Sequence, residues 1–353
     1  MIKDSIDFLI ENADPSIVLR IKKEILSSIT ADEELALVNQ IIVQNNVQTV
    51  VRAQKPDGWI GNNFHGESKV LGAGMFDNME TGLRFLAEKG ISQDNDYVSK
   101  AVNAFLLNEP FFAEFRQQAP EDDYDFTALG LYLLRSSVIL RAGYENLLPK
   151  NDFIDLRHDV AFSYETFLNV LNYNNADDVV DTSRRKLCFK KGVKWPCSYD
   201  LRILAHSQSW RSSSNLQLLA DSLNRLFSLK HKEEQMIYTY NAQKQYQSPC
   251  LAFIHNQMFC LGLMDESYPQ LDLMELFARC GVINKVAFLR MKYKYILSLI
   301  GDDHSIKYKF STADRKWGPY GGFALECDWK SKIRKQCDVL FRTLLIDHYT
   351  ECV

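Results

Sequence analysis

The sequence predicts an all-α protein, and two observations carry that prediction. Apolar residues recur three and four apart through most of the 353 residues. Alternation of the kind that marks a half-buried strand is confined to Tyr238-Thr239-Tyr240 and Ile306-Lys307-Tyr308-Lys309-Phe310. Taken in order, Asp14 is placed as an N-cap with Pro15 in the first helical position, followed by Ile17, Val18, Ile21, Ile25 and Ile29 on one face. Helices are expected next near 33–53 and 75–89. Around 94–107, Tyr97, Val98, Ala101, Val102, Phe105 and Leu106 line one side. Further helices are expected near 127–142, 152–171 and 198–207, then through Leu216, Leu219, Leu223, Leu226 and Phe227. The pattern continues near 251–263, 270–280 and 284–300, and ends with Ile333, Cys337, Leu340, Phe341, Leu344 and Leu345.

About twelve helices joined by Gly-, Pro- or Asn-containing loops make six helix pairs. Two architectures are built that way: an open solenoid with a concave protein-binding face, and a closed ring around a cavity. Three tryptophan loops bear on the choice. They are Gln54-Lys55-Pro56-Asp57-Gly58-Trp59-Ile60-Gly61, Lys191-Gly192-Val193-Lys194-Trp195-Pro196-Cys197 and Asp314-Arg315-Lys316-Trp317-Gly318-Pro319-Tyr320-Gly321. Gly and Pro set turns, and Trp has the area to clamp one helix end against the next. Trp59 and Trp195 are 136 residues apart and Trp195 and Trp317 are 122 apart, spacings that suit small multiples of a repeat of roughly 40–47 residues. Three unrelated aromatic anchors are the alternative account.

The stretch from Gln54 to Trp59 resembles the Gln-Trp repeat of squalene cyclases and protein prenyltransferases, with Gly58 and Trp59 adjacent where the family has a residue between them. Asp14-Pro15-Ser16-Ile17 and Trp195-Pro196-Cys197-Ser198-Tyr199 are similar to small bacterial proteins of that superfamily, as are Leu201, Arg202 and Leu204. The resemblance is best over residues 14–61 and 191–211. It implies an α/α toroid of about six helix pairs, one domain over residues 1–353 in which 1–50 is open to reading as a helical cap. It implies no activity by itself.

Composition narrows the rest. The chain is 46% hydrophobic and 24% charged with a net charge of −4, ordinary for a globular protein and without the basic footprint of nucleic-acid binding. The basic stretch Arg184-Arg185-Lys186 follows Asp177, Asp178 and Asp181 and reads as a solvated loop. No segment approaches the ~18 consecutive apolar residues of a membrane span. The N-terminus lacks the basic start and apolar run of a signal peptide, so a cytoplasmic location is expected. The eight cysteines show no pair closer than nine residues, so neither a metal knuckle nor a redox pair is visible, and no metal or cofactor is expected.

Four sets of polar residues are candidates for chemistry, and one set of aromatics for ligand binding. Glu121-Asp122-Asp123-Tyr124-Asp125 is the nearest approach to the cyclases' Asp-x-Asp-Asp acid, with its carboxylates in a different order. Clustered carboxylates raise one another's pKa, so Asp123 and Asp125 are the candidate acids; a solvated helix cap is the competing reading. Asp177-Asp178-Val179-Val180-Asp181 matches Asp-Asp-x-x-Asp, but its flanks are polar where a diphosphate-binding helix would be apolar. Cys197, Asp200 and His206 offer metal-ligand types without a tetrahedral spacing. His65, in Asn62-Asn63-Phe64-His65-Gly66-Glu67, is the candidate general base on a loop that would rim a toroid. Trp195, Tyr199, Trp317 and Tyr320 are the candidate ligand-lining aromatics, with ordinary packing as the alternative. Two functions follow: a toroid that binds, and as an enzyme transforms, an isoprenoid or other apolar ligand, or a non-catalytic helical scaffold for a protein partner.

Overall fold

Helices account for most of the chain, as the periodicity requires. The computed structural model describes residues 5–65, 78–108, 126–146, 155–181, 183, 186–190, 192–229, 236–241, 246–249, 252–260, 268–307 and 324–351. The helices are α1 (Ser5–Asn12), α2 (Pro15–Arg20), α3 (Ala31–Ile42), α4 (Asn45–Ala53), α5 (Met79–Glu88), α6 (Asp96–Leu107) and α7 (Phe126–Arg141). They continue with α8 (Leu156–Leu168), α9 (Ser198–Ala205), α10 (Ser213–Ser228), α11 (Tyr268–Arg279), α12 (Ala287–Ser298) and α13 (Lys332–Glu351). None of the described helices is long and apolar enough to cross a membrane.

Several boundaries differ from expectation for local reasons. The helix that opens at Pro15 widens to a π-helical turn over Ile21–Ile25 and stops at Ser27, whose φ is +49°. The expected helix over 33–53 is two, α3 and α4, because Gln44 is extended at ψ 140° and starts a new helix. Asp14 occupies the N-cap position of α2 without capping it; its carboxylate instead accepts from the Cys327 amide. Of 251–263, only a short turn at Ile254–His255 and a π-helical turn over Asn256–Cys260 are described. Tyr238 does open a strand. It belongs to a small sheet of β1 (Val180–Asp181), β2 (Cys188–Phe189), β3 (Tyr238–Asn241) and β4 (Tyr246–Pro249), in that order, with β2 and β3 parallel and the outer pairs antiparallel.

The first tryptophan loop works as a staple. Gln54 and Ile60 form an antiparallel bridge around a turn closed by Gly58 N–H donating to the Lys55 carbonyl. The Gln54 amide donates to the carbonyls of Gly58 and, at 2.8 Å, Tyr97, so the end of α4 is tied to the start of α6. Trp59 then meets Phe105 of α6 edge to face, 6.0 Å between centroids. Gly58 has φ +91°, and a Cβ there would lie 2.1 Å from the Lys100 carbonyl oxygen. Only glycine fits both demands.

Packing runs from neighbour to neighbour. α2 packs on α3, α3 on α4, α4 on α5, and α5 on α6 and α7. α7 packs on α8 and α9, α9 on α8 and α11, and α11 on α13, which also meets α1, α2 and α12. Buried apolar side chains from Leu9 to Ile346 belong to one cluster.

Candidate functional site

Six helices each send an arginine into the same interior: Arg20 from α2, Arg84 from α5, Arg141 from α7, Arg202 from α9, Arg279 from α11 and Arg342 from α13. Three of them, Arg141, Arg202 and Arg279, lie in the last turns of their helices. The partial negative charge of a helix C-terminus favours a cation there. Glu24, Glu80, Glu88, Asp272 and Glu275 supply the opposing charge.

Glu275 is the hub. It accepts from Arg20 Nη2 at 3.3 Å, from Arg279 Nε at 2.8 Å, and from Arg342 Nη1. Arg342 also donates to Glu88 at 2.5 Å, and Arg202 to Asp272 at 2.5 Å. Glu24 takes Arg20 Nε and Arg279 Nη2, both at 2.5 Å, and the Tyr349 hydroxyl at 3.0 Å. Arg84 donates to Glu80 at 3.0 Å and faces Glu88 at 3.9 Å. Burial alone would raise Glu24 and Glu275, yet the surrounding arginines outweigh it and hold both carboxyls well below the ordinary range. His206, at the end of α9, is pushed the other way: burial, then Arg141 and Arg279, hold its pKa well below 6.5, so its imidazole is neutral at pH 7.

A second polar cluster joins the chain's two ends. Asp338 of α13 accepts from the amides of Leu325 and Glu326 and from the Trp329 indole at 2.5 Å. Glu326 accepts from the Asp14 amide at 3.1 Å, and buried Lys89 donates to Leu325 O, to Gln44 at 3.1 Å and to Ser16 at 3.4 Å. Burial, then Asp338 and Asp14, raise Glu326 to about 9, while burial pushes Lys89 down to about 8.

The candidates read from sequence fare differently. His65 meets the network: its Nδ1 lies 3.5 Å from Glu80 Oε2, with the imidazole 22% exposed and the carboxylate fully buried. Asp123, Asp125, Trp317 and Tyr320 lie outside the described residues. Trp195 is 1% exposed against Tyr173 and Phe189, with ring centroids 6.2 Å and 5.6 Å away, and Phe189 in turn meets Phe253. Tyr199 is buried in α9. Asp178 is consumed by its own turn, accepting from the amides of Asn174 and Asn175, and Asp181 accepts from Ser183. Asp200 caps α9 through the Cys197 amide at 2.9 Å and is raised by burial to about 6. Among the described residues no group of His, Cys, Asp and Glu is placed to hold a metal ion.

Sequence reasoning missed the arginines. Leu19-Arg20, Leu83-Arg84, Leu140-Arg141, Leu201-Arg202, Ala278-Arg279 and Phe341-Arg342 each set an arginine directly after an apolar residue. So do Val51-Arg52, Leu134-Arg135, Leu156-Arg157, Leu289-Arg290 and Ile333-Arg334, so the sequence carries no signal that singles out the six. Comparison with protein-family models, with curated proteins and with solved structures finds no match.

Proposed function

We propose that the chain is an α/α toroid of the squalene-cyclase and prenyltransferase kind, and that its centre binds a small molecule bearing a charged head group. The ring is supported by a circuit of packing. It runs α2, α5, α7, α9, α11, α13 and back to α2, with α2 and α5 linked by Arg20 donating to the Glu88 carbonyl and Lys89 to Ser16. Ligand binding is supported by the convergence of six arginines and five carboxylates. Burying ion pairs is often no better for stability than burying apolar residues of the same volume. A scaffold that worked only through its outer surface could use the paired charges to fix the register of its helices, but would have no use for the arginine left over.

The ligand class follows from the same chemistry. An apolar chain laid against guanidinium and carboxylate groups would desolvate them without compensation. The isoprenoid suggested by resemblance therefore suits this interior when it carries a charged head. His65 beside Glu80 is the pair able to give or take a proton, the carboxylate orienting the imidazole. The free thiols at Cys188, Cys197, Cys280, Cys327 and Cys337 favour a reducing, cytoplasmic setting. The protein-binding scaffold remains the second reading, favoured by Leu35 and Val43 at 60% and 71% exposure on one side of the fold.

Denaturing the purified protein and identifying released small molecules by mass spectrometry tests the proposal. A stoichiometric molecule with a carboxylate or phosphate is the expected result. An empty protein that also shows no thermal shift with isoprenoid diphosphates, fatty acids or organic acids would sink it and leave the scaffold.

A further inference from the structure

Five of the six converging arginines are paired with a carboxylate, and Arg141 is paired with none among the described residues. Among the described residues it makes no hydrogen bond or ion pair, and its Nη2 is shielded from solvent without an acceptor there. Unlike the others it is half-buried as a residue, although its Nη2 is covered. The carbonyls at the end of α7 do not hold it either. Ala142, Tyr144 and Gly143 amides take the carbonyls of Val138, Ile139 and Leu140, in a turn that Gly143 closes at φ +93°. The neighbouring Glu145 carboxylate is occupied by the amides of Gln208 and Ser209 at 2.7–2.9 Å.

Charges of both signs face Arg141: the cations Arg20 and Arg279, and the carboxylates Glu88 and Glu24. Arg20 and Arg279 lie within electrostatic reach, and the carboxylates that balance them, Glu24 and Glu275, are already shared among Arg20, Arg279 and Arg342. Six guanidiniums against five carboxylates leave one positive charge over, and among the described residues Arg141 is the one of the six without an ion-pair partner. Burial, then Arg20 and Arg279, lower Arg141 to about 10, still protonated at neutral pH. The neutral imidazole of His206 stands on the same side.

We propose that Arg141 is the docking point for an oxyanion, a carboxylate or phosphate group of the ligand, received at the end of the fold where α7, α9 and α11 finish. The proposal rests on the reading of the charged centre as a ligand site and adds where the charged head sits. A guanidinium fork suits either group bidentately. The bound anion would restore neutrality to the network, with His206 as a further neutral hydrogen-bonding group.

The test is the thermal midpoint of the full chain at pH 7, titrated with inorganic phosphate or with acetate, each against chloride at equal ionic strength to separate binding from screening. A midpoint that rises with phosphate or with acetate is expected, and which of them acts identifies the head group. Arg141→Gln should weaken that binding on the order of tenfold or more. In chloride alone it should be at least as stable as the wild type, because it removes an unpartnered buried cation. Arg141→Lys keeps the charge without the fork and should bind several-fold more weakly; this variant carries the test if the glutamine protein does not fold. Arg225→Gln, outside the network and bonded to the Tyr173 carbonyl, should respond like the wild type. No anion-specific rise in the wild type, or an undiminished rise in both Arg141 variants, overturns the site. A released ligand seen by mass spectrometry alongside that result would refute only the docking point and leave the charged centre as a ligand site.

Discussion

Glu275→Gln is the most direct perturbation of the network. Glutamine keeps the volume and a carbonyl acceptor but removes the charge that Arg20, Arg279 and Arg342 share within hydrogen-bond distance. Removing one partner of a buried ion pair leaves the others uncompensated and costs about 3–5 kcal/mol. That is a large share of the ~5–15 kcal/mol that typically holds a fold together. Urea unfolding should show the midpoint falling with the slope unchanged, which separates lost stability from altered compactness. The pH dependence adds a second readout. Glu275 is held well below its ordinary value of 4.5, so its contribution is full above that pH and is lost as pH falls through the folded-state pKa. Wild type and variant should therefore differ most near neutrality and converge in acid. A loss below about 0.5 kcal/mol, the scale of a surface substitution, or a difference that persists undiminished well below pH 4.5, would refute the hub role.

Two further perturbations probe the loops. Gly58→Ala should destabilise by more than ~1 kcal/mol, because it opposes both φ +91° and the 2.1 Å approach to Lys100; an unchanged melting temperature would mean the first tryptophan turn is not locked. Glu326→Gln should flatten the fall in stability with rising pH between about 5 and 8. Glu326 is raised to about 9, so its contribution is present below the unfolded value of 4.5 and is lost as pH rises through 9, whereas Lys89 contributes a rise that begins only near 8. Parallel pH profiles for the two proteins would contradict that assignment.

The helices were legible because their apolar stripes are long and regular; α6 and α10 lie within a few residues of expectation. What escaped was set by single residues or by distant ones. Gln44 breaks a continuous helical pattern through backbone conformation alone, and periodicity does not see it. The Ser5–Asn12 helix is short, and its place depends on packing against α13 at the other end of the chain. The candidate site shows the same division. His65 was legible as a polar-loop histidine, but its partner Glu80 lies in an apolar helix where a carboxylate looks like an ordinary surface residue. Each arginine, taken singly, likewise looks like the charged end of an amphipathic helix. Nothing in the sequence marks the six as a set, since Arg135 and Arg334 also follow an apolar residue within α7 and α13; the fold alone brings them together.

That set has a structural task that accounts for most of it. Arg20 reaches Glu275 across 255 residues of sequence, Arg342 reaches Glu88 across 254, and Arg279 reaches Glu24 across 255. Apolar contacts are not directional and would let the first and last thirds of the chain meet in several registers. A fork of charge-assisted hydrogen bonds is directional, and admits few. Register therefore explains Arg20, Arg279 and Arg342, and the Arg84–Glu80 and Arg202–Asp272 pairs fix α5 and join α9 to α11. Among the described residues Arg141 joins nothing. A side chain at the end of α7 that neither a carboxylate nor a carbonyl of those residues holds by a hydrogen bond is unexplained by closure of the fold. An anion that arrives from outside supplies the partner it lacks.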